Sequence, residues 1–180
     1  MDVFSHGLWG FAISYPQAKK QGNPKQALWG LALGMLPDVI PFLPVQLYFL
    51  LSHSSFSPSL FFPEPQHWVF SWAIESYKYT HSLVLFLATL AIVTAIRRRQ
   101  GRSLVWWPFM AWGLHILMDI PTHPDFFSTP FLFPFSSFTL AGRGVSWANP
   151  WVFGLNWLAI AATYAWIRRD VRKQSNNIAI

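Results

Sequence analysis

The sequence predicts an all-α protein, a multi-spanning membrane helix bundle of about five helical segments with two long aromatic-rich outer loops. Residues 1–180 are expected to form one membrane-embedded domain. Three observations carry this expectation. First, 53% of the residues are hydrophobic and only 11% are charged, where a soluble domain carries about 25% charged residues. Second, aromatics reach 18%, with 11 Trp, and Trp favours membrane–water interfaces. Third, the basic residues behind the net charge of +6 gather in short clusters between apolar segments. A nucleic-acid surface spreads its basic residues over one face among polar groups, so no nucleic-acid partner is expected. The absence of cysteine excludes disulfides, thiolate metal sites and cysteine nucleophiles.

In chain order, the first segment, Val3 to Tyr15, is short and weakly apolar. It is no ordinary signal peptide, because Asp2 stands where a basic region belongs and Lys19 and Lys20 follow the apolar stretch. The second segment, Ala27 to Leu51, contains Pro37, Pro41 and Pro44 and is expected to break near Asp38. Tyr77 to Ile96, Leu104 to Ile120 and Pro150 to Ile167 complete the set, each near the roughly 20 residues that a span requires. A short surface helix is expected over His67 to Tyr77, after Pro63 and Pro65. The connections Ser52 to Ser76 and Pro121 to Asn149 are rich in Phe, Pro and Ser and read as interfacial segments over the outer helix ends.

The basic clusters set the orientation. Lys19, Lys20 and Lys25 form one, Arg97, Arg98, Arg99 and Arg102 a second, and Arg168, Arg169, Arg172 and Lys173 a third. Counting spans places all three on one side, which the positive-inside rule makes cytoplasmic. The expected topology is multi-pass in the inner (plasma) membrane, N-terminus outside and C-terminus cytoplasmic.

His115 and Asp119 are four residues apart, so they share one face of a helix. A carboxylate at the membrane centre costs roughly 2.5–3.5 kcal/mol on insertion scales, which demands a partner or a function. Depth can be measured from the basic clusters. His6 lies 13 residues before Lys19, Asp38 13 after Lys25, His81 16 before Arg97, and His115 and Asp119 13 and 17 after Arg102. At 1.5 Å per residue, all five sit about 20–25 Å above the inner face. Four segments thus bring five ligand-type residues into one layer toward the outer side.

Taken singly, each of these residues has a structural reading: an interhelical bond for His115 and Asp119, a turn or N-cap for Asp38, an interfacial or surface histidine for His81 and His6. Convergence favours a metal site of His6, Asp38, His81, His115 and Asp119. Imidazole with carboxylate suits zinc, with manganese or iron as further options. Four ligands satisfy one zinc ion, and a bridging Asp119 allows two metals of the kind used in phosphoester hydrolysis. His123, just past Pro121, reads as a loop residue, with a sixth ligand as the alternative. His53 and His67 read as interfacial, Glu75 and Lys78 as head-group contacts, and Arg143 as part of an ordinary turn.

The ordered pieces Ser5-His6-Gly7-Leu8, Leu36-Pro37-Asp38, Thr80-His81-Ser82-Leu83 and His115-Ile116-Leu117-Met118-Asp119 with Thr122 resemble the YdjM-like inner-membrane family of metal-dependent hydrolases. The likeness covers about residues 1–125. It implies a membrane-bound hydrolase, and it is what brings His6 most firmly into the set. Where that family commonly has a His-Arg pair before the Thr-His-Ser, this chain reads Ser76-Tyr77-Lys78-Tyr79, leaving Lys78 as the candidate substrate-binding cation. The arrangement is also similar, more weakly, to zinc-dependent phospholipase C, with its early His, its Asp, its lone His and its His-x-x-x-Asp helix.

The leading expectation is cleavage of a phosphoester in a lipid or lipid-phosphate substrate by a metal-activated water. Asp38, His81, His115 and Asp119 hold a first metal in this scheme and His6 with Asp119 a second, and Asp38 or Asp119 takes the proton. The alternative is a small transporter or proton/cation-conducting protein with an intramembrane His/Asp site. Bis-histidine haem ligation by His81 and His115 is a third reading, disfavoured by two neighbouring carboxylates.

Overall fold

The computed structural model describes residues 1–52, 68–102, 106–124 and 127–178, with side chains through residue 173. Among the described residues there are six α-helices and no strand. They are α1 (Val3–Lys20), α2 (Ala27–Ser52), α3 (Trp68–Thr80), α4 (Leu83–Arg99), α5 (Trp107–Thr122) and α6 (Pro150–Ile178), with one turn of 3-10 helix at Pro24–Gln26. The all-α class stands. α1 and α6 run past the ends of their apolar stretches, because Lys and Arg are good helix formers and favour a helix C-terminus.

Three expectations are corrected. The break near Asp38 is absent: α2 runs unbroken through Pro37, Pro41 and Pro44. Each interior proline frees the carbonyl four residues earlier, and a neighbouring helix can satisfy such a carbonyl. Ile40 O, freed by Pro44, accepts a hydrogen bond from Trp72 Nε1 of α3 at 3.0 Å. Conversely, Tyr77 to Ile96 is not one segment. It divides at His81 and Ser82, where α3 and α4 meet at a 58° bend. Ser82 takes an extended backbone and caps α4, its Oγ accepting from Leu85 N at 3.1 Å. Leu83 N donates to Phe131 O at 3.0 Å, and Ser82 Oγ donates to Phe133 O. The bend is thus tied to the segment after α5. A helix does stand near His67 to Tyr77, as α3, but it packs along α2 through Val69, Phe70 and Ala73 and does not lie on the surface. His53, Pro63, Pro65 and His67 lie outside the described residues.

Pro24–Ser52 is long and apolar enough to cross a membrane, with mean hydropathy 1.6, and α3 with α4 qualifies as one bent span. Among the described residues no other helix meets that measure, so five spans are not reached. α5 has only 16 residues, and α1 and α6 include Ser, His, Asn, Trp and Tyr, which lower their hydropathy.

The packing of α2 sets the architecture. Its inner face is small or polar: Ala27, Gly30, Gly34, Pro37, Asp38, Pro41 and Val45 are buried. Its outer face presents Trp29, Leu36, Leu43, Leu47 and Leu50, the last 72% exposed. An apolar stripe of that extent facing outward suits lipid better than water. The small residues let α1 cross α2 closely. A Cβ on Gly10 would lie 2.2 Å from Gly30 O, and one on Gly34 would lie 2.4 Å from His6 O. α5 packs on both helices, and α3 lies along the second half of α2. α6 lies alongside α1 through Trp9 Nε1 to Asn156 Oδ1 at 2.9 Å, Tyr164 Oη to Leu8 O at 3.0 Å, and Lys19 with Asp170 at 2.5 Å.

Gly10→Leu is expected to drive α1 from α2 and lower the apparent Tm by roughly 5 °C or more. Gly154→Ala, where the added Cβ meets nothing within 4 Å, is expected to leave Tm unchanged or slightly raised. Thermal unfolding of the two variants in detergent checks the pair, and equal transitions would contradict the close crossing.

Candidate metal centre

Five buried side chains converge where α1, α2, α5 and the α3–α4 bend meet. Asp2 caps α1, accepting from Ser5 N at 2.9 Å and Ser5 Oγ at 2.5 Å, which positions His6 in the first turns. Asn156 of α6 steadies the same serine, donating to Ser5 Oγ at 2.7 Å. Asp38 projects from mid-helix in α2, neither a turn nor a cap. His81 sits at the bend, its N–H still bonded to Tyr77 O. His115 and Asp119 share the inner face of α5.

Asp38, His81, His115 and Asp119 offer one ligand atom each within 4.8 Å of one another. His81 Nε2 and His115 Nε2 are 3.0 Å apart. Asp119 Oδ2 lies 3.2 Å from His115 Nε2 and 3.4 Å from His81 Nε2. Asp38 Oδ1 lies 3.4 Å from His81 Nε2 and 3.6 Å from His115 Nε2. Ligand bonds of about 2.0–2.1 Å in a tetrahedron give edges of roughly 3.3 Å, close to these separations.

The protonation pattern tests the fit further. His115 Nδ1 faces Gly34 O at 2.7 Å. A carbonyl only accepts, so Nδ1 carries a proton, and Nε2 faces the centre with a lone pair when the ring is neutral. His81 Nδ1 lies 3.2 Å from Tyr77 O and 2.9 Å from Thr80 Oγ1, while that hydroxyl faces Ser76 O at 3.2 Å and Tyr77 O at 3.3 Å. Both imidazoles are thereby oriented by backbone carbonyls, as metal-binding histidines are. Two neutral rings held this way point lone pairs at each other and at two carboxylates. Asp119 Oδ2, buried among them, has no hydrogen-bond donor. A cation among the four atoms resolves that repulsion. The contact distance between the two Nε2 atoms also leaves no room for a porphyrin between them.

The other oxygen of Asp119 faces a second group. Oδ1 lies 2.9 Å from His6 Nε2 and 3.2 Å from His123 Nδ1. The Met1 ammonium lies 2.6 Å from the same oxygen and 3.4 Å from His123 Nδ1, so positive charge already sits there. His6 stacks on His115, ring centroids 3.7 Å apart, and its Nδ1 is buried without a partner.

All five expected metal residues therefore come together, and His123, read from sequence as a loop residue, is drawn in at the C-cap of α5. Lys78 does not join them: its ammonium pairs with Glu75 at 2.6 Å. Arg143 lies in a turn between Leu140 and Gly144, its N–H bonded to Leu140 O. Sequence reasoning missed Tyr77, whose ring stacks on His81 at 3.7 Å and whose hydroxyl donates to Phe127 O at 3.0 Å. The signal was present, since Tyr77 precedes His81 by four residues. It also missed Gly34, which acts through its carbonyl and carries no side-chain signal.

The cluster opens on a cavity of about 670 Å³, lined by Asp38 and His123 on the site side and by Phe42, Val45, Phe49 and Trp147 among others beyond it. Trp147 belongs to the segment folded back over α5, where Val145 N and Trp147 N bond to Pro121 O and Thr122 O at 2.9 Å each.

No curated protein and no solved structure matches this chain. One family model does, described as YdjM inner membrane protein, and it spans residues 1–179, well beyond the first 125 or so over which the motifs alone show the likeness. The chain belongs to the YdjM inner membrane protein family.

Proposed function

We propose that this protein is a membrane-embedded, metal-dependent hydrolase that cleaves a phosphoester of a lipid-like substrate. The observation that carries the reading is the pair of carbonyl-oriented histidines facing two buried carboxylates across ligand-bond distances. Asp38, His81, His115 and Asp119 are the first ligand set, with zinc the best match to the donors. His6, His123 and Oδ1 of Asp119 would hold a second ion, which would take the place of the Met1 amine that lies 2.6 Å from that oxygen. Divalent cations in such a pair lower the pKa of water to about 7 and neutralise charge on phosphoryl oxygens.

The chain's own groups divide the remaining work. Asp119 is fully buried, with His6 Nε2 2.9 Å from one oxygen and His115 Nε2 3.2 Å from the other, so it would serve as a fixed anion between the two sets. Asp38 reaches the cavity wall, so it is the better placed to take a proton from an entering water. Tyr77 keeps the His81 ring in its plane. Convergence on one point, instead of a file of polar groups along a path, supports a reaction centre over a conduction pathway. In this reading the N-terminus and site lie toward the outside and the C-terminus in the cytoplasm. The basic residues at the ends of α1, α4 and α6 and the outward apolar face of α2 support that orientation.

Purified protein is expected to retain a divalent metal that His115→Ala loses, with affinity falling by more than the roughly 10–100-fold that loss of an outer-shell partner costs. Equal, near-zero metal in both proteins by elemental analysis would end the proposal. His123→Ala is expected to lower the bound metal from about two ions per chain to about one while leaving the first set filled. An unchanged count would remove His123 from the site. Hydrolysis of a lipid phosphoester in proteoliposomes should stop with a chelator and return on adding zinc. Persistence of turnover in Asp119→Asn would contradict the assignment.

A further inference from the structure

We infer that the cavity beside the metal centre is the seat of a single apolar chain, so that the substrate is a single-tailed amphiphile bound with its phosphate at Asp38 and His123. The inference rests on the hydrolase reading for its head group and on the shape of the cavity for its tail. Along α2 the residues facing the cavity are Asp38, Phe42, Val45 and Phe49, with Gln46 at the exposed rim. They form a track that begins at a ligand carboxylate and continues for 11 residues as apolar side chains, about 16 Å at 1.5 Å per residue, the reach of a long alkyl chain. Phe4 from α1 and Trp147 from the segment over α5 lie on other walls. A water-soluble phosphoester has no use for such a track, whereas burying a chain along it is favourable for each methylene covered.

The cavity, of about 670 Å³, has room for a long chain, and the one-chain class rests on the single apolar row of Phe42, Val45 and Phe49 that leads away from the centre. The polar lining is uneven. Asp2, Asp38, Tyr77, Thr122 and His123, with the Met1 amine, gather on the site side, while Ser146 lies beside Trp147 and Gln46 is an exposed residue at the rim. That gradient orients the occupant head toward the metals and tail along α2.

The full-length protein in lipid nanodiscs would be photolabelled with hexadecyl phosphate carrying a diazirine at the end of its chain, and the labelled residues mapped by mass spectrometry. Label is expected on the inner face of α2 around Val45 and Phe49, competed by unlabelled hexadecyl phosphate and little affected by a two-chain dialkyl phosphate or by inorganic phosphate. Val45→Trp fills the cavity, and Gln46→Trp blocks its rim from an exposed position that core packing does not use. Each should cut labelling at least about tenfold, as loss of two buried methylenes would, with bound metal unchanged. Label confined to the lipid-facing Leu43, Leu47 and Leu50, or insensitive to both variants, overturns the tail site. Equal competition by the dialkyl phosphate overturns the single-tailed class. Specific labelling of a protein that binds no metal and hydrolyses no phosphoester would leave the tail site standing and defeat the hydrolase reading instead.

Discussion

Two imidazole nitrogens, on rings whose other nitrogen faces a backbone carbonyl, face each other at 3.0 Å between two buried carboxylates. With both rings neutral that arrangement is repulsive on its own, and the rest of the structure is arranged to hold it. Burying a carboxylate in an apolar bundle is costly without a counter-charge, and here two are placed within reach of the same point. The fold withstands this because every supporting group is fixed: Gly34 O and Tyr77 O orient the rings, Tyr77 and His6 stack on them, and Asp2 and Asn156 fix the start of α1.

The backbone meets the same constraint. Asp38 reaches the centre only because α2 stays helical through three prolines, and α2 can approach α1 only because glycines line the crossing. The bend at Ser82 has the opposite effect on α3 and α4, turning the chain so that His81 points inward at the end of one helix while the next departs. Continuity in one element and interruption in another both serve to aim a ligand. The segment after α5 completes the enclosure by bonding to the bend at Phe131 and Phe133 and to the end of α5 at Pro121 and Thr122.

Chemistry follows from the asymmetry of the site. One carboxylate is enclosed by histidines and the other borders a cavity whose far walls are apolar. The proposed reaction centre, next to an apolar recess, would suit a substrate that already resides in the bilayer. The polar end of such a molecule meets the ligands and its tail stays in surroundings like those it left.

By itself the sequence determined the all-helical class, the inner-membrane family and the five candidate ligands that the fold brings together, His6 resting most on the family motif. Those follow from composition, from helical spacing in His115 and Asp119, and from the distance of each ligand to a basic cluster, all of which are local or one-dimensional quantities. Helix continuity could not be read the same way. Whether Pro37, Pro41 and Pro44 break α2 depends on whether Trp72 of another helix reaches Ile40 O, and whether Tyr77 to Ile96 is one helix depends on bonds to residues 131–133 some fifty positions later. The same holds for His123, whose position past Pro121 reads as loop until the fold turns its ring toward Asp119, and for Lys78, which the fold pairs with Glu75 instead. Residue types and spacings named the ligands. Only the tertiary structure decided which nitrogen of each ring faces the centre, because that rests on backbone carbonyls that no side-chain pattern records.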